Sequence, residues 1–579
     1  MTMLTKWGAA LDRSCPLPEY PRPQLRRESF YNLNGVWDYA VTPSGDEPEV
    51  WDGEIVVPFS PEAPLSGAAR GPAKDEYLHY RRGFTLPEGF QKSRVLLHFG
   101  AVDQIAEVFV NGVSAAKHSG GYWPFSADIT SLLREEENIL RVTVRDNADD
   151  PTFAYGKQRY KRGGMWYTAQ SGIWQTVWLE SVPEVYVKSL RITPEFDEAR
   201  VRIELETALE SSAAITCDVR AADGSFVAGS WAKGGVCVVP LPGFRAWTPD
   251  DPYLYTLDIT CGEDHVESYF AMRKFSYVEL GGHKVFGLNN APLFHNGLLD
   301  QGYYPDGLLT PPSDEAMVND IETMKRCGFN MLRKHIKIEP LRWYYHCDRL
   351  GMIVWQDMVS GGQPYSFLHV SALPTLGKVD LPDQDAKPYG RSGVLSRARF
   401  RREMADTVRL LYNCPCIALW TVFNEGWGQF DALDMANELK KLDPTRFIDH
   451  ASGWQDQGYE EMKSRHIYFR PVKLKNDGRA LALTEYGGYI LAVDGHRWTD
   501  KVFGYRICRD SAALAHDYKK LMLRQVLPHI RKEGLTAAVY TQITDVEEEL
   551  NGLMTYDREV LKIPEETLRE INAALRFDA

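Results

Sequence analysis

Long apolar runs, an export signal and blocks of basic residues are all missing from this chain of 579 residues. No apolar run approaches the roughly eighteen residues of a membrane span, and residues 1–7 have no apolar core or cleavage-like site. With a net charge of −13 and no Lys/Arg-rich block, the sequence does not favour nucleic-acid binding, because neutralising phosphates requires a basic face. We therefore expect a cytoplasmic protein that binds neither membrane nor nucleic acid and takes a neutral small-molecule partner.

Cysteines are few and scattered, since nine of them, an odd number, lie between Cys15 and Cys508. This pattern does not indicate a disulfide framework. Cys414 and Cys416 form the one tight pair, and no second pair or histidine cluster stands at zinc-ligand spacing, so we expect no metal and no cofactor. The ordinary composition, 44% apolar and 25% charged, argues against disorder, and the length predicts about three or four domains.

The first part of the chain consists of short alternating runs between turn residues, which is typical of an antiparallel β-sandwich. The runs 95–99 and 106–110 lead into Asn111-Gly112, a strong signal for a type I′ hairpin. A second set of runs with this rhythm begins after about Glu184 and suits an immunoglobulin-like sandwich without evident chemistry. We therefore predict one sandwich over residues 1–183 and a second over residues 184–276.

From residue 277 to residue 579 the rhythm changes to alternating strands and helices, which predicts a (β/α)8 barrel. The loop 358–394 after the third strand is longer than a simple connection, and loops of that size are usually lids, binding loops or flexible insertions. The predicted barrel strands are 293–297, 329–333, 352–357, 417–423, 446–450, 465–469, 480–484 and 537–542.

Two glutamates directly follow apolar strands of this barrel pattern. The fourth strand ends in Asn424-Glu425 and the seventh in Glu485. Because α/β folds place their chemistry at the carboxyl ends of the strands, we expect both carboxylates on one rim, as a pair acting across one bond. Either glutamate alone is equally well explained as a helix cap or an ion-pair partner of an arginine. The two together, in equivalent positions, favour catalysis.

These motifs and several dispersed segments of the first sandwich resemble glycoside hydrolase family 2. The resemblance covers the whole chain in its order of domains. It implies an N-terminal β-sandwich of the jelly-roll, sugar-binding type, an immunoglobulin-like β-sandwich and a C-terminal TIM barrel. The matching segments of the first sandwich are Arg22-Pro23-Gln24-Leu25, Leu33-Asn34-Gly35-Val36-Trp37, Gly100-Ala101-Val102-Asp103 and Gly120-Gly121-Tyr122-Trp123-Pro124-Phe125.

The resemblance also implies roles for individual residues. Glu425 matches the acid/base that protonates the departing oxygen, and Glu485 matches the nucleophile of a retaining mechanism. Asn424 matches an asparagine that donates to the sugar 2-hydroxyl, and Tyr468 matches a tyrosine that donates to the nucleophile. Arg333 could hold Glu485 in its charged form, although a purely structural ion pair is an equal alternative.

Other residues near the strand ends are less specific candidates. A histidine or tryptophan in such a position is as well explained by packing as by contact with substrate. The candidates for substrate contact are His335, His295, His466 and Asp357, and the candidate sugar platforms are Trp427, Trp355 and Tyr540.

Four departures from the family pattern bear on the substrate. The second strand ends Arg333-Lys334-His335, where the family signature has two small residues and then His-Tyr-Pro. Tyr540 stands where many relatives have tryptophan. The Asn-x-Lys motif by which the family's β-glucuronidases recognise a uronate is replaced by residues 549–552, Glu-Leu-Asn-Gly. The acidic metal ligand of the large β-galactosidases is missing near residues 120–121.

These observations predict a retaining exo-acting β-glycosidase on oligosaccharides or glycoconjugates, with β-galactosides ahead of β-glucuronides, β-mannosides and arabinosides. One alternative is a non-catalytic carbohydrate-binding protein, which the loss of either glutamate would favour. Another is a barrel enzyme of unrelated chemistry, such as a metal-dependent hydrolase, but the first strand carries no His-x-His. Because family members often form dimers or tetramers, the resemblance makes a homo-oligomer an expectation.

Overall fold

The computed structural model describes residues 3–209, 214–376 and 380–578, so residues 377–379 of the predicted long loop lie outside it. The first of its three parts is a β-sandwich whose two main sheets enclose one apolar core, in which Trp37, Tyr39 and Tyr80 are among the largest buried side chains of the protein. The antiparallel pairing follows the alternating runs of the sequence. In sheet order the strands are Tyr31–Asn32, Val177–Val182, Arg94–Phe99 and Phe125–Asp128, then Gly53–Val57, Gly35–Thr42, Tyr77–Phe84, Asn138–Arg145, Ile105–Val110 and Val113–Ser119.

The second part is a smaller sandwich with its own core of valine, isoleucine and cysteine side chains. A hairpin, Phe275–Leu280 and His283–Leu288, crosses the predicted 276/277 boundary. Its Phe286 packs with Trp355 in the barrel and closes the amino-terminal end of that barrel. The strands of the sandwich, in sheet order, are Val187–Glu195, Arg200–Thr207 and Val236–Pro240, then Phe226–Trp231, Ile215–Arg220, Tyr255–Cys261 and Asp264–Phe270.

The third part is a parallel barrel of eight strands in the described chain. Strands one to eight are His295–Asp300, Met331–Lys334, Ile353–Asp357, Ile417–Thr421, Phe447–Asp449, Met462–Ile467, Ala480–Gly487 and Leu535–Thr541. They pair in the order five, four, three, two, one, eight, seven, six, so the barrel is nearly closed between strands five and six. All carboxyl ends therefore meet on one rim.

The helices surround this barrel, and two of them begin after a residue whose side chain caps the first turn, Ser313 and Asp510. Ser313 accepts a hydrogen bond from the backbone of Ala316 and starts the helix Asp314–Arg326, whose Met317, Ile321 and Met324 face the core. The other helices of the barrel are Leu341–Leu350, Leu373–Thr375, Val394–Leu411, Ala432–Leu442, Ser511–Leu521, Leu527–Glu533 and Glu565–Asn572, and Lys6–Ala9 precedes the first sandwich.

The predicted fold class, two β-sandwiches followed by a (β/α)8 barrel, is confirmed. The boundaries at 183/184 and 276/277 stay predictions. Within the described ranges, no helix combines the length and the apolar character needed to cross a bilayer.

Candidate active site

The two glutamates singled out by the sequence meet at the carboxyl-terminal rim of the barrel. Glu485 lies near the end of strand seven, and Glu425 lies four residues beyond the end of strand four. One oxygen of Glu425, one oxygen of Glu485 and Nδ1 of His466 all lie within 4.8 Å of one another. The structure thus brings together two carboxyl groups that are 60 positions apart in the sequence (485 − 425).

Glu425 sits in a turn with unusual backbone geometry. Its φ is 54°, and the glycines at 426 and 428 also have positive φ, so the sequence Glu-Gly-Trp-Gly folds as a tight loop over the rim. The loop is held because the Glu425 amide donates to the Ser452 carbonyl at 2.9 Å and Trp454 Nε1 donates to the Glu425 carbonyl at 2.9 Å. Burial raises the pKa of Glu425, and the charges of Lys157, His335 and Arg333 only partly oppose this shift.

His466 bridges the pair. Its Nδ1 is 2.8 Å from Oε1 of Glu425 and 3.6 Å from Oε2 of Glu485, and its Nε2 is 3.2 Å from Oγ of Ser452. Burial lowers the pKa of His466 to about 3, so the imidazole is neutral and can accept a proton in a hydrogen bond from protonated Glu425. These three side chains have the spacing of metal ligands; Nδ1 of His466 and Oε1 of Glu425 are hydrogen-bond partners of each other, and Glu485 accepts from Tyr468.

Glu485 is surrounded by hydrogen-bond donors. Nη1 of Arg333 donates to its Oε1 at 3.0 Å, and the Tyr468 hydroxyl donates to its Oε2 at 2.5 Å. The same tyrosine hydroxyl lies 3.0 Å from Oγ1 of Thr541 at the end of strand eight. Such charge-assisted bonds stabilise a carboxylate and fix its orientation, so the two glutamates lie in chemically different surroundings.

Arg333 is fully buried and is hydrogen-bonded to several polar residues of the site. It makes a bidentate pair with Asp357, with both distances 3.0 Å, and donates to Oδ1 of Asn424 at 2.8 Å. Asp357 also lies 2.7 Å from Nδ1 of His335. Burial by itself would raise the pKa of Asp357, but Arg333 and His335 outweigh it and hold that pKa at about 2.

Asn424 accepts from Arg333 through its oxygen, and this leaves its amide nitrogen without a protein acceptor among the described residues. His335 is hydrogen-bonded to Asp357 through Nδ1, and its Nε2 has no hydrogen-bond partner within the residues that the structure describes. Both groups are therefore available to a bound molecule. Trp427 packs its ring edge-on against Trp166 of the first sandwich, with centroids 5.0 Å apart, and forms part of the wall.

The structure does not bring three of the candidates to this site. His295 lies at the start of strand one, at the opposite end of the barrel, where its Nδ1 accepts from Trp355 Nε1 at 3.0 Å. Tyr540 is fully buried and packs against Tyr486 and against Tyr518 of an outer helix. The predictions for His295, Trp355 and Tyr540 as substrate contacts are thus corrected: the first two face the barrel floor and the third faces the helix layer.

Sequence reasoning missed the contribution of the first sandwich. The segment 154–170 reaches over the rim, where the amides of Tyr155 and Gly156 donate to the Ser360 carbonyl at 3.1 and 2.9 Å. Further along, the Tyr167 hydroxyl donates to Glu549. This segment carries Lys157 and Trp166 into the site. Its one sequence signal is a density of aromatic, basic and glycine residues, which matches no motif.

The predicted long loop lies beside strands four and five. Asp383 accepts from the amide of Ala432 at 2.9 Å and from Gln429 at 3.0 Å, and thereby caps the helix after the Glu425 turn. The Val370 carbonyl accepts from Trp454 Nε1 at 2.8 Å. The loop is therefore tied to the residues that hold Glu425.

Comparison with known proteins agrees with this architecture. Three family models match: "Glycosyl hydrolase 2 galactose-binding domain-like" over residues 71–176, "Glycosyl hydrolases family 2" over 185–273, and "Glycosyl hydrolases family 2, TIM barrel domain" over 312–476. The chain belongs to glycoside hydrolase family 2, as the sequence motifs suggested.

Individual relatives are distant. A β-galactosidase of Thermoanaerobacter pseudethanolicus is 24% identical over 63% of this chain and 47% of its own length. A β-glucuronidase of Paenibacillus borealis is 22% identical over 82% of this chain and 85% of its own. Among solved structures, a β-glucuronidase from an uncultured Clostridium sp. superposes with a TM-score of 0.74 at 19% identity, covering 95% of this chain and 99% of that one. The chain spans less than half the length of the first β-galactosidases that it matches.

Proposed function

We propose that this protein is a retaining, exo-acting β-glycosidase, with Glu425 as acid/base and Glu485 as nucleophile. The observation that carries the proposal is the separation of the two carboxyl groups, with one oxygen of each within 4.8 Å. Retaining glycosidases hold their carboxyl groups about 5–5.5 Å apart, whereas inverting enzymes need about 6.5–9.5 Å to leave room for a water. Their different surroundings support different roles for the two groups.

In the first step an oxygen of Glu485 attacks the anomeric carbon of the sugar. The bond from that carbon to the glycosidic oxygen breaks, and the proton of Glu425 passes to the departing oxygen. The products are a glycosyl ester of Glu485 and the free alcohol. The neutral His466 orients Glu425 during this transfer, and the amide nitrogen of Asn424 is free to donate to the sugar 2-hydroxyl.

In the second step Glu425, now a carboxylate, removes a proton from water as the water oxygen attacks the same carbon. The ester bond to Glu485 breaks and its carboxylate is restored between Arg333 and Tyr468. Two displacements at one carbon give a sugar with the original β configuration. The segment 154–170 covers one side of the rim, and such a covered rim suits removal of a terminal sugar.

The test is hydrolysis of nitrophenyl glycosides by the full chain: β-galactoside, β-glucuronide, β-mannoside, β-glucoside and α-arabinosides in both ring forms. We expect turnover of at least one, and proton NMR spectra should show the sugar released first with the anomeric configuration of its substrate. Release of the opposite anomer would contradict a retaining mechanism. Absence of turnover over the whole panel would contradict the proposed activity.

The raised pKa of Glu425 predicts a particular pH dependence. The first step requires the protonated acid, so kcat/KM should fall as the pH rises through the pKa of Glu425, and burial moves this limb toward neutral pH. Glu425→Gln should lose that alkaline limb and hydrolyse nitrophenyl substrates about 10²–10⁴-fold more slowly. A dinitrophenyl leaving group departs with little protonation. The rate at which Glu425→Gln forms the glycosyl ester from a dinitrophenyl glycoside should therefore fall least. An unchanged alkaline limb in Glu425→Gln would exclude Glu425 as the acid.

Three finer statements belong to this proposal. A β-galactoside is our first candidate substrate, a β-glucuronide the alternative. A location in the cytoplasm and a homo-oligomeric state are the other two, and both are expectations from the sequence and the resemblance. Size-exclusion chromatography with light scattering measures the oligomeric state directly.

A further inference from the structure

Lys157 differs from the other buried lysines near the barrel. Lys334 pairs with Asp300 and Glu339, Lys337 pairs with Glu339, and Lys562 pairs with Asp545. Lys157 is only 8% exposed, yet no carboxylate of the described chain lies within ion-pair distance of its Nζ, and no hydrogen-bond acceptor there contacts that atom. A buried cation without a protein partner is costly unless another molecule supplies the partner.

The backbone places Lys157 over the candidate active site. Its carbonyl accepts from the Tyr167 amide at 3.0 Å, and its Nζ is 5.5 Å from the ring of Trp166, which packs on Trp427 two residues after Glu425. The preceding Gly156 packs so closely on the Ile336 carbonyl that a Cβ there would lie 2.9 Å from it. Lys157 therefore lies between the Glu425 turn and the His335 end of strand two, and its charge acts on the pKa of both side chains.

Glu549 faces the same space from the loop after strand eight. The side chain is 5% exposed, and its Oε2 accepts from the Tyr167 hydroxyl and from Gln542 at 3.5 Å. Its Oε1 has no hydrogen-bond partner in the described residues. Burial raises the pKa of Glu549, Lys157 opposes that shift, and the charge of Glu485 adds to it. Tyr167 thus holds both residues, Glu549 through its hydroxyl and the carbonyl of Lys157 through its amide.

We propose that Lys157 and Glu549 together bind hydroxyl groups of a neutral sugar and exclude uronic acids from the pocket. This inference rests on the proposed glycosidase function and names its substrate class. A hydroxyl can accept from Nζ of Lys157 and donate to Oε1 of Glu549, so the pair matches a sugar hydroxyl in both directions. Each group then has the partner that the protein itself does not give it.

A uronic acid carries a carboxylate, so the charged residues of the site act on it differently than on a neutral sugar. Arg333 is already committed to Asp357 and Glu485, whereas Lys157 has no carboxylate within ion-pair distance in the described chain. A sugar carboxylate in place of the hydroxyl would add a negative charge beside Glu549 and Glu485. Like charges brought together in a buried site weaken binding strongly. The neutral sugar avoids this cost.

The experiment uses two iminosugars that share one ring, isofagomine with a hydroxymethyl group and uronic isofagomine with a carboxylate, titrated by calorimetry into the full chain. We expect the hydroxymethyl compound to bind at least about tenfold more tightly. Glu549→Gln should reduce the ratio of the two affinities about tenfold by tightening the binding of uronic isofagomine, since it removes a charge at constant shape. Lys157→Met should weaken binding of the hydroxymethyl compound by about tenfold.

Neighbouring residues give matched controls. Lys161→Met removes an exposed lysine of the same segment, and Glu548→Gln neutralises the adjacent glutamate. Neither should change the ratio, and thermal unfolding of each variant checks that it folds. Lys157→Gln repeats the test if Lys157→Met is unstable.

Tighter binding of the uronic compound to the wild type, lost in Lys157→Met, would overturn the inference and make Lys157 a uronate ligand. In that case turnover of a nitrophenyl β-glucuronide would leave the glycosidase proposal intact. If neither compound binds and no nitrophenyl glycoside is hydrolysed, the proposed function and this inference fall together. An unchanged ratio in Glu549→Gln would overturn the role of Glu549 alone.

Discussion

Glu485→Ala should lower kcat by about 10⁴-fold or more on whichever nitrophenyl glycoside the wild type hydrolyses best. The side chain supplies the oxygen that attacks the anomeric carbon, and nothing else in the described site lies in its position between Arg333 and Tyr468. The measurement is steady-state hydrolysis over a range of substrate concentrations. Binding of substrate should change far less than kcat, because Asn424 and His335 stay in place.

Added azide provides a positive signature for this variant. The small anion can enter the space left by the carboxylate and attack from the same face, forming an α-glycosyl azide from an activated β-glycoside. Glu460→Ala, which removes an exposed glutamate elsewhere on the barrel, is the control and should keep wild-type kcat. If Glu485→Ala retained more than about a tenth of wild-type kcat, the proposed nucleophile would be wrong.

Arg333→Met should destabilise the barrel by about 3–5 kcal/mol, the usual cost of breaking a buried charge network by removing one partner. The substitution leaves Asp357 and Glu485 both buried, at 1% and 5% exposure, without their shared cation. We expect a fall in the thermal unfolding midpoint on the order of 5–10 °C. Activity should fall as well, because Asn424 and Glu485 lose the donor that orients them.

A double variant separates the two effects. Arg333→Met with Asp357→Asn removes one of the stranded charges, so it should recover part of the lost stability while activity stays low. Arg333→Lys keeps a charge but cannot make the bidentate pair with Asp357, and should lie between wild type and Arg333→Met. A midpoint within about 1 °C of the wild type in Arg333→Met would show that the network contributes little to stability.

Much of the site follows from local sequence alone. Strand four and strand seven are short apolar runs, and each is followed by polar residues that a buried strand would not otherwise carry. Once the eight strands are counted, the parallel barrel forces both glutamates onto one rim. Arg333, Asp357 and His335 could be placed there for the same reason, because each lies at or just beyond the end of a strand.

The wrong predictions for His295 and Tyr540 as substrate contacts have a common cause. His295 and Tyr540 both belong to barrel strands, but strand membership does not reveal which end of the strand, or which face, a side chain occupies. His295 begins its strand and faces the floor, and Tyr540 faces the helices because residues along a strand alternate between the inside and the outside of the barrel. A slip of one residue exchanges these two faces, and strand ends are uncertain by more than that.

The order of the three parts, the barrel, the family and the pair of glutamates can be read from the sequence, because periodicity and strand-end chemistry are local properties of the chain. Only the tertiary structure placed His466 between Glu425 and Glu485 and brought Lys157 and Trp166 from the first sandwich over the rim. The contacts at this rim join residues that lie 19 positions apart (485 − 466) for His466 and Glu485, 41 for Glu425 and His466, and 382 for Tyr167 and Glu549. They depend on how separate parts pack against one another, which no local pattern of residues encodes.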